Sequence, residues 1–150
     1  MRAVVQRVKR ACVTIDEKVY SRIGYGLCCL VGVEKSDGPK DIVYMAGKVC
    51  SIRIFDDENG VMNLNAQDAG AEIMLISQFT LMGDARKGRR PSYIRAQEPS
   101  EAKAVFDELT GAVSEIHNGN VATGRFQTMM DVEIINHGPV TILLDSRKDF

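Results

Sequence analysis

The consecutive residues Leu27-Cys28-Cys29-Leu30-Val31-Gly32-Val33 restrict the fold of this chain more than any other feature, because none of them carries a strongly polar side chain. The run is far shorter than the roughly 20 residues of a membrane-spanning helix, so it is read as a strand. Successive strand side chains point to opposite faces, and a strand without a polar face belongs in the centre of its sheet. Gly24 and Gly26 separate this strand from an earlier one at Val19 to Ile23. Before that, Val4, Gln6 and Val8 alternate with Val5, Arg7 and Lys9, and Ala11 to Asp16 continues with β-branched residues. This predicts a strand pair near the start and a turn at Asp16-Glu17-Lys18.

The period changes after Ser36. Ser36-Asp37-Gly38-Pro39 supplies capping residues and an early proline, and Ile42, Met45, Ala46, Val49 and Cys50 follow at helical spacing. A second helix opens at Pro99-Ser100-Glu101 and carries Ala102, Val105, Phe106, Leu109 and Val113 on one face. Between the helices, Ile52 to Phe55 predicts a strand closed by Asp56 to Gly60, whose Asn-Gly pair suits a tight turn. Glu72 to Phe79 predicts a further apolar strand. The C-terminal third returns to strands at Met129 to Ile135 and Val140 to Asp145, joined at Asn136-His137-Gly138-Pro139. Strands outnumber helices and come in runs. The expected fold is therefore α/β, with mixed β-sheets and two helices covering one face in a layered α/β/β arrangement. At 150 residues the chain fits one domain, residues 1–150, without repeats or linkers.

Formal net charge is −1, so nothing global draws the chain to nucleic acid or to an anionic membrane, and any RNA contact must be local. The N-terminal residues lack the apolar stretch of a secretory signal, and the expected location is cytoplasmic, with no membrane partner. Cys12, Cys28, Cys29 and Cys50 form no C-x-x-C pair and have no accompanying histidine cluster. They are expected as reduced core thiols, and no metal or other cofactor is expected.

Three segments carry chemistry. Ser77-Gln78-Phe79-Thr80-Leu81 ends an apolar strand in three hydrogen-bonding side chains around one aromatic, which can place polar groups at a cleft rim. The same pattern also suits a strand that simply runs out into solvent. Asn136-His137-Gly138-Pro139-Val140-Thr141 places Gly-Pro between two strands, where a tight turn could present carbonyls to a ligand or merely connect. Arg86-Lys87-Gly88-Arg89-Arg90-Pro91-Ser92 gathers four positive charges, fitting either phosphate contacts or a solvated loop.

The S-Q-F-T-L and N-x-G-P-V-T segments, in this order, make the chain resemble the D-aminoacyl-tRNA deacylase family. The similarity extends to Arg2 through Val8, Ile52 to Phe55, Met62 to Leu64, Arg86 through Ser92 and Thr123-Gly124-Arg125-Phe126, and so covers nearly the whole chain. Two separated motifs in the right order are far more specific than either alone. One departure follows Gly124-Arg125-Phe126, where this chain has Gln127, Thr128 and Met129 instead of the small and acidic or polar residues common in the family.

The resemblance implies a homodimer acting on the 3′ acceptor end of aminoacyl-tRNA. It implies that Gly138 and Pro139, with their bond cis, enter the partner's active site as a chiral filter. L side chains are rejected there by clash, while D-amino acids and glycine pass. Arg7 corresponds to an arginine that holds this segment, Asn136 to a residue shaping it, and Met130 to a methionine near the adenosine pocket. Arg7 as an exposed strand cation, Asn136 as an ordinary turn residue and Met130 as core packing are the alternatives. Ser77, Gln78, Phe79 and Thr80 correspond to the catalytic pocket, with backbone amides near Gln78 and Phe79 as oxyanion donors. The family uses no side-chain nucleophile and implicates the 2′-hydroxyl of the terminal adenosine. That agrees with the residues, since an activated Thr80 needs an adjacent base and neither His117 nor His137 suggests one.

Two other classes compete. A non-catalytic RNA-binding module could use Arg86 to Arg90, although with no Trp and 6% aromatic residues the chain lacks a stacking platform. A serine esterase built on Ser77 would lack both the G-x-S-x-G elbow and a base.

Overall fold

The computed structural model describes residues 1–149. Its elements are β1 (Arg2–Ile15), β2 (Lys18–Ile23), β3 (Gly26–Gly32), α1 (Pro39–Ser51), β4 (Phe55–Asp56), β5 (Met62–Leu64), β6 (Glu72–Ser77), α2 (Pro99–Ile116), β7 (Val121–Thr123) and β8 (Asp131–Asp145), with a 3₁₀ turn at Phe79–Met82. The apolar run of the sequence forms β3, which lies mid-sheet in the order β2-β1-β3-β6-β7, while β8 also pairs with β1. β3, β6 and β7 are mutually parallel, and β1 pairs antiparallel with β2, β3 and β8.

Parallel neighbours need a crossover, and α1 supplies the one from β3 to β6 as α2 supplies that from β6 to β7. Both steps move the same way across the sheet, so right-handed connections put both helices on one face. That face holds the larger core. Ala3, Val5, Leu27, Cys29, Ile73 and Leu75 meet Met45, Ala46 and Val49 of α1 and Phe106, Leu109 and Val113 of α2.

The opposite face is covered by the sheet itself. β1 is 14 residues long and changes partner midway, pairing Arg2 to Val8 with β3 and Ala11 to Ile15 with β2. β8 accompanies it from end to end. The curled halves bring Val8, Ala11, Val13 and Ile23 against Cys28, Met74 and Ile76, with Val132 and Ile134 packed alongside. The result is the expected α/β/β layering of mixed sheet with two helices on one face.

Several local expectations change. The first strand pair is a single bent strand, and the two C-terminal strands are one, because alternation continues through a bend and gives no sign of it. Ile52 to Ile54 lie outside any strand, and only Phe55–Asp56 pairs, with Met62–Leu64. β5 and β7, at three residues each, are too short to show a period. The N-cap of α1 is Gly38, whose amide donates to Asp41 at 3.0 Å. Asp37 instead accepts from the N-terminal ammonium at 2.8 Å and from the Glu34 amide at 2.6 Å. Among the described residues no helix is long and apolar enough to cross a membrane.

Candidate active site

β6 leaves the sheet where its pairing with β3 ends, at Ser77 opposite Val31. The Gln78 amide still donates to the Val31 carbonyl at 2.7 Å, and the chain then tightens into the 3₁₀ turn, with Leu81 donating back to Gln78 at 3.2 Å. The turn lies directly on Gly32, where a Cβ would stand 2.9 Å from Met82 Cε and 3.0 Å from the Gln78 carbonyl. A side chain at Gly32 would push the turn off the sheet.

This turn forms one wall of a cavity of about 880 Å³. Ser77, Gln78, Phe79 and Thr80 all line it, Leu30, Val132 and Ile134 lie beneath, and Phe126 to Met130 form the far lip. Ser77 and Gln78 are half-buried, Phe79 and Thr80 exposed. Gln78 Nε2 donates to Thr80 Oγ1. The Phe79 ring meets Tyr93 edge-on, with centroids 5.2 Å apart. Tyr93, Gln97 and Glu98 also belong to the lining, and no sequence period singles them out.

The chemistry available is narrow. Among the described residues Glu98 is the only charged one in the lining, and no histidine, cysteine or lysine lines the cavity. Among the described residues neither the Ser77 nor the Thr80 hydroxyl is hydrogen-bonded to Glu98, so no hydroxyl is paired with a base as an activated nucleophile requires. Of the two amides expected as oxyanion donors, that of Gln78 is committed to the sheet. Those of Phe79 and Thr80 have no partner among the described residues. The unpartnered amides are therefore those of Phe79 and Thr80, one residue along the chain from the expected pair. Among the described residues no group of three or more His, Cys, Asp or Glu could hold a metal.

Met130 lines the cavity and also packs against the second core, with Sδ 3.2 Å from the Arg125 amide. Met130 therefore does pack against a core, as one of its two readings has it, while also reaching the cavity surface. The departing residues Gln127, Thr128 and Met129 form the lip itself, with Gln127 at φ +57° and Met129 92% exposed.

The second motif lies elsewhere. Gly138, Pro139, Asn136 and Arg7 are absent from the cavity lining. Instead of a turn between two strands, the segment is a bulge within β8. Gln6 pairs with Thr141 and Val8 with Asn136, so residues 137–140 stand opposite Arg7 alone. The Gly138-Pro139 peptide is cis, and Gly138 has φ +124°. Asn136 is the last paired residue before the bulge and is exposed.

Arg7 is 5% exposed, which removes its reading as a surface cation. Its Nε donates to the His137 carbonyl at 3.1 Å, and its Nη1 donates to the Ile54 carbonyl at 2.8 Å and to Asp56 at 3.1 Å. The bulge is thus tied to the segment leading into β4. The His137 ring stacks edge-on with Tyr25, and Tyr25 with Phe55. Gly138 and Pro139 remain exposed, on a strand paired along one edge only.

Comparison with known proteins identifies the family. Residues 4–145 match the profile of the family described as D-Tyr-tRNA(Tyr) deacylase. Curated relatives named D-aminoacyl-tRNA deacylase include one from Thermoanaerobacter sp. (strain X514), 52% identical, and one from Kosmotoga olearia, 53% identical, each with 100% of both chains covered. Among solved structures, one described as "c-Myc DNA Unwinding Element Binding Protein" superposes with a TM-score of 0.93 at 35% identity, covering 97% of this chain and 98% of that one. Another, described as a "probable eukaryotic D-amino acid tRNA deacylase", shares the fold with a TM-score of 0.81 at 15% identity, over 95% and 97% of the two chains. With its two motifs in place and nearly its whole length matched, this chain belongs to the D-Tyr-tRNA(Tyr) deacylase family of hydrolases.

Proposed function

We propose that the protein hydrolyses the ester bond of D-aminoacyl-tRNA, releasing the free D-amino acid and tRNA, and that it acts in the cytoplasm as a single-domain chain paired in a homodimer. Glycyl-tRNA mischarged on a non-cognate tRNA is a second substrate, because glycine has no side chain to reject. The observation that carries this reading is the Ser77 to Thr80 turn. It lines a cavity in which no hydroxyl is hydrogen-bonded to a base, and two of its amides, those of Phe79 and Thr80, have no partner among the described residues. Such a site can stabilise a developing oxyanion and hold an already labile ester, and it leaves the attack to water aided by the substrate's own 2′-hydroxyl.

Chirality is read by the other motif, from the partner chain. Support for action in trans is that Gly138 and Pro139 are exposed on a free strand edge and stand outside the cavity of their own chain. In the dimer their carbonyls face the substrate's α-amino group, an L side chain collides with the filter, and a D side chain points away. Arg7 keeps the bulge in shape, Asn136 closes its lower end, and Met130 backs the adenosine.

The test is deacylation of D-Tyr-tRNA and L-Tyr-tRNA side by side, with a chelator present. Rapid loss of the D ester alone is expected. Loss of both esters would leave an esterase without the filter, and loss of neither would return the protein to a non-catalytic RNA-binding module.

A further inference from the structure

We propose that the arm from Asp84 to Ser92 is the phosphate-binding element of this protein, holding the sugar-phosphate backbone of the RNA whose 3′ end occupies the cavity; this rests on the function proposed above. Arg86, Lys87, Arg89 and Arg90 fall within five consecutive positions of a chain whose net charge is −1. Their surroundings divide them into one structural cation and three free ones.

Asp84 and Ser92 close the arm by exchanging both backbone hydrogen bonds, at 2.8 and 2.9 Å. Gly88, at φ +74°, allows the chain to reverse at the tip. Asp84 also accepts from the Arg86 amide at 3.0 Å and from Arg86 Nε and Nη2 at 2.9 and 2.5 Å. These hydrogen bonds hold the Asp84 carboxyl far below the usual range. Arg86 therefore braces the hairpin, with its charge paired to Asp84. Lys87, Arg89 and Arg90 are exposed and form no ion pair among the described residues.

The arm is fixed to the cavity rim. Its second limb runs directly into Tyr93, Ala96 and Gln97, all of which line the cavity. That segment is tied to the chain following β3, since Lys35 donates to the Arg95 carbonyl at 2.9 Å and Gln97 to the Val33 carbonyl at 3.1 Å. Three unpaired cations thus lie on an arm continuous with the rim of a cavity whose only charged lining residue, among the described residues, is acidic, Glu98.

An RNA end carries a negative charge at every linkage, and this cavity offers no cation to meet it. The charge must be met outside, and such contacts position the chain without reading its sequence. On the opposite lip the choice is poorer. Arg125 lies in a smaller cleft with Lys103, and Lys103 is already paired with Asp107. One free cation there compares with three on the arm.

The experiment compares the wild-type protein, the variant Lys87→Gln/Arg89→Gln/Arg90→Gln and the variant Arg125→Gln. The substrates are D-tyrosyl-tRNA and 3′-O-(D-tyrosyl)adenosine, which lacks the RNA backbone, and kcat/KM is followed between about 50 and 200 mM salt. Phosphate contacts contribute roughly 0.7 to 0.9 each to the slope of log affinity against log salt. The triple variant should therefore flatten the tRNA slope by about 2 and raise KM for tRNA by ~10-fold at low salt, on the same estimate. Its loss on the adenosine ester should be several-fold smaller. An unchanged slope in the triple variant, equal losses on both substrates, or flattening by Arg125→Gln in its place would overturn the proposal. A wild-type protein that leaves D-tyrosyl-tRNA intact would instead overturn the functional reading on which it rests.

Discussion

The turn after β6 and the bulge in β8 carry the two family motifs, yet they are held in opposite ways. The turn is fastened by main chain: the Gln78 amide finishes the β3–β6 ladder, Gly32 lets the turn settle on the sheet, and two amides are left over for a ligand. The bulge breaks its ladder, and besides the His137 ring packed on Tyr25 it is fastened by one buried side chain, Arg7, with hydrogen bonds to both the bulge and the segment leading into β4. Shape held by many main-chain bonds tolerates the loss of a side chain. Shape held by one arginine does not.

Arg7→Ala should therefore produce the largest effect. It leaves the His137 and Ile54 carbonyls without their donor, at a cost of about 3 kcal/mol for the two together, while Asp56 is exposed and is solvated by water. For a chain of this size that is a fall of roughly 10 °C in Tm, accompanied by loss of D-tyrosyl-tRNA hydrolysis. Calorimetry together with single-turnover rates checks both. An Arg7→Ala protein of wild-type stability and rate would erase the contrast between the two regions.

Gly138→Ala comes next. A Cβ there would stand 2.9 Å from Val140 Cγ2 and 3.1 Å from Arg7 Nη2, on a backbone at φ +124° that L side chains rarely adopt. The strain is on the order of 2 kcal/mol, and D-ester hydrolysis should drop at least ~10-fold, the equivalent of about 1.4 kcal/mol in the barrier. Rates on D- and L-Tyr-tRNA measured together show whether discrimination changes along with rate.

Thr80→Ala probes the other region and should do less. It removes the hydroxyl that Gln78 contacts and leaves the Phe79 and Thr80 amides in place. Activity should fall less than ~10-fold, below the usual cost of losing an oxyanion donor. Complete inactivity would give the turn an essential side chain and collapse the distinction.

The smallest effect lies beneath the turn, in β3. Burial pushes the Cys28 thiol up to about 12 and Cys29 well above its ordinary value. A group raised on folding contributes stability that is complete below its unfolded value and lost as pH rises through the folded one. For Cys28 that window runs from about 9.0 to about 12. Tm should hold steady up to pH 9 and then decline, less steeply in Cys28→Val. At neutral pH a thiol reagent should modify only Cys12, since the other three thiols are buried.

Local information in the chain was enough for β3, for both helices and for the two motif segments. An unbroken apolar run, a 3.6-residue period and a motif are all written in neighbouring residues, and each needs little from the rest of the chain. The same locality hid the rest. Alternation reads identically in a straight strand and a bent one, so β1 and β8 each seemed to be two strands. A bulge and a turn share the same Gly-Pro, and only the pairing with Gln6 and Val8 tells them apart. Arg7 looked equally suited to solvent until the segment from Ile54 to Asp56 closed over it.

The sequence by itself determined the layered α/β/β class and the identity of the two motif segments. Only the tertiary structure decided which groups are free to act. Whether an amide is a donor for a ligand or a rung of the sheet depends on the strand beside it: the Gln78 amide is consumed by Val31, while those of Phe79 and Thr80 are left over. Whether a motif belongs to its own cavity depends on where the chain has turned, and here Gly138 and Pro139 are not among the residues that line the cavity walled by Ser77 to Thr80. Hydrogen bonds and cavities are made between residues distant in sequence, and no local pattern records them.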